Sequence, residues 1–81
     1  MRTFDHVFFP DLKTDPDDDL CARFQAMLHE RLDRDQFGEV RINRSGPGIA
    51  VVLRVLDEQV SDDEVTGLVA RSWSEFAASV R

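Results

Sequence analysis

Residues 39–56, EVRINRSGPGIAVVLRVL, constrain the fold more than any other part of the chain. Val40 and Ile42 alternate with Arg41 and Asn43, the two-residue period of a strand with one buried face. From Ile49 onward, Ile49, Val51, Leu53 and Val55 share one face, while Ala50, Val52, Arg54 and Leu56 share the other. Ser45-Gly46-Pro47-Gly48 stands between the two runs and has the composition of a turn. Residues 39–44 and 49–56 therefore read as a hairpin. An isolated hairpin is at best marginally stable in water, so the remaining chain has to cover its apolar face.

One further strand and two amphipathic helices do so. TFDHVFF, residues 3–9, is rich in aromatic and β-branched residues and is closed by Pro10, so it reads as a strand. It places Phe4, His6 and Phe8 on one face and Thr3, Asp5, Val7 and Phe9 on the other. Both faces turn apolar towards its end, which predicts cover on both sides there. Asp15 before Pro16 fits a helix N-cap followed by the first helical residue, with Thr14 and Asp17 as a competing, weaker cap. Asp17, Asp18 and Asp19 then fall in the first turn, where each carboxylate gains about 0.3–1 kcal/mol from the helix dipole. Leu20, Phe24, Met27, Leu28 and Leu32 form one apolar face of a helix reaching about Gln36, with Gly38 as its terminator. Ser61 and Glu64 have the spacing of a capping box. They open a second helix from Asp62 almost to the end, striped by Val65, Leu68, Val69, Trp73, Phe76, Ala77 and Val80.

The order strand-helix-strand-strand-helix predicts one α+β domain over residues 1–81. Its three-stranded sheet carries both helices on one face. This is the ferredoxin-like pattern without its last strand. The first strand would then lie at an open edge, a site for dimerisation through the sheet or for a partner's strand.

With 16 acidic and 10 basic residues the chain carries a formal charge of −6. That balance argues against direct binding to nucleic acid or to an anionic membrane and leaves a basic protein partner as the expected class. Cys21 is the only cysteine, so no internal disulfide forms and a reducing, cytoplasmic location is expected. The opening MRTFDHVFFP lacks the apolar core of a signal peptide. No run approaches the roughly 20 apolar residues of a membrane span.

The candidate chemistry is sparse. Asp15, Asp17 and Asp19 have the spacing that opens a calcium loop, but Leu20 stands where that loop needs glycine and Ala26 where it needs a bidentate glutamate. One cysteine with His6 and His29 makes a poor zinc set, so neither a metal nor a cofactor is expected. Cys21 and His29 lie eight residues apart on one helix, about 12 Å along its axis, too far to act as a pair. No serine stands in a nucleophile motif, and Ser45-Gly46-Pro47-Gly48 lacks the Lys-Ser/Thr of a phosphate loop. The chain reads as a non-enzymatic protein.

Two acidic groups remain, residues 11–19 and 57–64. If both helices follow strands of the same direction, these charges gather at one end and attract a basic surface. The leading expectation is a binding module that blocks or adapts a basic protein through Asp15, Asp17, Asp18, Asp19, Asp57, Glu58, Asp62 and Asp63. Short, acidic and α+β without a catalytic signature, the chain resembles in type many bacterial and phage inhibitors: immunity proteins, antitoxins and anti-CRISPR proteins. That resemblance lies in type and not in residues, and it transfers no site. The alternative expectation is a homodimeric small-ligand-binding protein or accessory subunit, with His6, Arg54 and Trp73 lining its pocket.

Overall fold

The hairpin forms as β2 (Phe37–Ser45) and β3 (Gly48–Val55) in the computed structural model, which describes residues 2–9 and 16–79. Ser45 pairs with Gly48, leaving Gly46-Pro47 as a two-residue turn. Gly46 has a φ of 59° and the Pro47 ring fixes φ at about −65°, the signs of a type II′ turn, which matches the twist of the flanking strands. β1 (Arg2–Phe8) pairs with the other side of β3, giving the antiparallel order β1-β3-β2. The helices α1 (Asp18–Arg31) and α2 (Asp62–Ser79) complete the expected strand-helix-strand-strand-helix order.

Register decides which face is buried. Phe4 and Val40 both oppose Leu53, and Ile42 opposes Val51, so the alternating apolar residues meet on one side. Both helices cover that side. Phe24 and Leu28 of α1 and Val65 of α2 are fully buried with Ile49, Val51 and Leu53. An aromatic cluster joins the layers: the Phe24 ring lies 5.2 Å from Trp73 and 5.3 Å from Phe76, and Phe8 stands edge-on to Trp73 at 5.6 Å. The opposite face of the sheet is open. Asp5, Arg41, Asn43 and Arg54 are exposed there, and Val7 is 38% and the following Phe9 71% exposed. Among the described residues the cover expected on both sides of the β1 end is therefore not found.

Several boundaries differ from the sequence reading. The helix cap is Asp17, whose carboxylate accepts from the Leu20 N–H at 2.8 Å. Asp15, the expected cap, lies outside the described residues. α1 ends at Arg31, with Leu32 as its C-cap, and does not reach Gln36. Asp33 stops it, because its carboxylate accepts from Asp35 N–H while its carbonyl accepts from the N–H groups of Gln36 and Phe37. That local turn competes with a further helical turn. Gly38 belongs to β2 and does not terminate a helix; β2 starts at Phe37 across a bulge between Phe37 and Val40. The bulge brings Gly38 under the Arg54 stem, where an added Cβ would stand 3.3 Å from its Cδ. At α2, Ser61 Oγ accepts from Glu64 N–H at 3.2 Å, one half of the expected capping box.

Candidate functional site

Asp17, Asp18 and Asp19, the described carboxylates of the first acidic group, do not share an end with the second. β1 runs antiparallel to β3, and α1 follows β1 while α2 follows β3. The helices therefore start at opposite ends of the sheet. The expectation of one merged patch took β1 and β3 as running the same way; the hairpin reverses the chain, so it is β1 and β2 that are parallel. Ion pairs mark the two ends. Asp18 faces Arg44, at the close of β2, at 3.9 Å, and Asp62 faces Arg2, at the start of β1, at 3.2 Å.

At the α1 end the carboxylates have local tasks. Asp17 caps the helix, Asp19 lies 3.8 Å from Arg23 one turn on, and Asp18 faces Arg44. Such exposed pairs contribute about 0–1 kcal/mol each. Cys21 lies just inside this end and is buried. Burial pushes its thiol above the ordinary value of 9.0, and Asp18 and Asp17 add to the rise while Arg44 opposes it. The thiolate that a nucleophile needs is thereby disfavoured.

The α2 end is larger than the sequence indicated. Asp57 accepts from Gln59 N–H at 2.9 Å, closing the turn before the helix. Arg2 reaches both Asp62 and the Val60 carbonyl. Beside these residues lies the 33–36 turn, whose Gln36 carbonyl accepts from the N–H groups of Leu56 and Asp57. Asp33 and Asp35 thereby join Asp57, Glu58, Asp62, Asp63 and Glu64 at one end. They were missed because they were assigned to the helix. The signal was present in the hairpin, whose pairing sets the start of β2 against the end of β3. Asp35, Asp63 and Glu64 are exposed and form no side-chain hydrogen bond or ion pair among the described residues.

His6 and Trp73 do come together. With Phe8, Phe9, Val69 and Ala70 they line a groove of about 340 Å³ between β1 and α2. Arg54 is not part of it. It pairs across from Thr3 on the open sheet face, beside Arg41 and Val52. The expected three-residue pocket is thus split by the sheet itself.

Among the described residues no group of three or more His, Cys, Asp or Glu could hold a metal ion, and no helix is long and apolar enough to cross a membrane. Comparison with protein-family models, with curated proteins and with solved structures finds no match to this chain.

Proposed function

We propose that the chain is a protein-binding module, not an enzyme, and that its α2 end meets a basic surface of another protein. The observation that carries this reading is the convergence of three segments on that end. The 33–36 turn, the 56–61 connection and the first turn of α2 bring seven carboxylates together, with Arg34, Arg71 and Arg2, which pairs with Asp62, as the cations beside them. Asp35, Asp63 and Glu64, exposed and without a side-chain bond among the described residues, are free to steer and dock a cationic surface. Asp57, Glu58, Asp62 and Asp63 are the contacts, extended by Asp35 and Glu64. Asp17, Asp18 and Asp19 serve mainly to start and anchor α1.

The consequence for a partner is inhibition or adaptation by occlusion. An acidic end covering a basic surface competes with whatever anion that surface normally binds. Immobilised chain should therefore retain a basic protein from a host extract at low salt, with retention falling as salt screens the contact. Asp62→Lys with Asp63→Lys should abolish that retention. Equal retention by the reversed variant would remove the reading.

A further inference from the structure

We infer that a second copy of this chain occupies the β1 edge, pairing β1 with β1 across a two-fold axis at His6 to make a continuous six-stranded sheet. The inference stands apart from the acidic-end reading and uses a different surface.

The two sheet edges are not equivalent. β2 is packed by α1, and its Ile42 N–H is bonded at 2.8 Å to the Gln25 side chain, a device that blunts an edge. At β1, among the described residues, no side chain bonds to the backbone. α2 stands over this edge without closing it, and the groove between them stays open at its middle, with His6 and Ala70 exposed. That is where the inward side chains of one more strand would sit.

Local charge does not bar a copy of the same chain there. The groove lining contains no carboxylate, although 16 of the 81 residues are acidic. Two chains of charge −6 can meet on this flank because the two acidic clusters stand at the ends, leaving Asp5 as the one carboxylate within β1. Register, together with the position of His6 in the groove, then selects the axis. A two-fold perpendicular to the sheet pairs residues whose numbers sum to an even value. Centred on Asp5, it opposes two carboxylates, which is unfavourable. Centred on His6, it sets Asp5 against the second copy's Val7 and Phe4 against its Phe8, with Thr3 against its Phe9 just beyond the end of β1. A flank seven residues long and one helix-on-sheet layer deep buries on the order of 1,000 Å² across both copies. That is the low end for a specific interface, so the dimer should dissociate on dilution.

Sedimentation equilibrium of the intact chain tests this. The mass should rise from one to two times 9.3 kDa with concentration, and the midpoint should move to lower concentration at 0.5 M salt as the −6 charges are screened. Ala70→Glu, at an exposed helix position, should leave a folded monomer throughout. In a Cys21→Ala background, His6→Cys should form a disulfide-linked dimer on mild oxidation, since opposed Cβ atoms in such pairs lie about 4.5–5.5 Å apart and need approach by only about 1 Å to reach disulfide distance. A single-chain mass at every concentration overturns the inference. So does a dimer that survives Ala70→Glu, a dimer dissolved by salt, or a His6→Cys chain that does not cross-link while dimeric.

Discussion

Single residues show where local chemistry overrides pattern. Gly48 reads in the sequence as one more turn glycine, yet its need is steric: an added Cβ would stand 3.0 Å from the Phe8 carbonyl oxygen and 3.0 Å from the Phe9 ring. The oxygen belongs to the neighbouring strand and cannot give way as a flexible side chain could. Gly48→Ala should therefore cost about 1–3 kcal/mol, read as a lower denaturant midpoint with an unchanged slope. Cys21 offers a test by pH. Between the unfolded value of 9.0 and its higher folded value, the native thiol keeps a proton that the unfolded chain has lost. Stability should thus fall with rising pH in that alkaline window, and Cys21→Ala should remove this component of the fall. Denaturant melts of both chains between pH 8 and 11 check it; parallel profiles would contradict the assignment.

At the scale of elements, the helix starts depend on carboxylates and hydroxyls more than on apolar periodicity. Asp17→Ala removes the bond to Leu20 N–H and should destabilise the fold by about 1 kcal/mol, measured by equilibrium unfolding followed at Trp73. The element order, the hairpin and the buried face were legible because Ile49, Val51, Leu53 and Val55 alternate without interruption and Phe24 and Leu28 keep helical spacing. The α1 end was not legible. Asp33, Arg34 and Asp35 suit an exposed helical turn as well as the turn they form, and what decides between them is the return of the chain to pair Phe37 with Val55. The cap was misassigned for a related reason. Asp15 before Pro16 is a sound local signal, but Asp17 offers the same carboxylate two residues later, and the structure uses it.

At the scale of the molecule, strand direction is what matters. Each acidic cluster is legible as a helix start, but whether the two add depends on the sign of β3 relative to β1, and the hairpin sets that sign as antiparallel. Among the described residues, Asp17, Asp18 and Asp19 each have a partner at the α1 end, while Asp35, Asp63 and Glu64 have none at the α2 end, and the two do not form one concentrated patch. Arg54 shows the same dependence on topology, since alternation on β3 carries it to the face away from His6 and Trp73. The central claim is that the α2 end binds a basic partner while the α1 carboxylates hold the helix. The most direct measurement is the affinity of that partner for two variants, Asp62→Asn with Asp63→Asn and Asp18→Asn with Asp19→Asn. The account predicts a loss of about tenfold or more for the first, equivalent to about 1.4 kcal/mol, and affinity within about twofold of the parent for the second. A larger loss from the Asp18 and Asp19 variant, or equal losses from both, would contradict it.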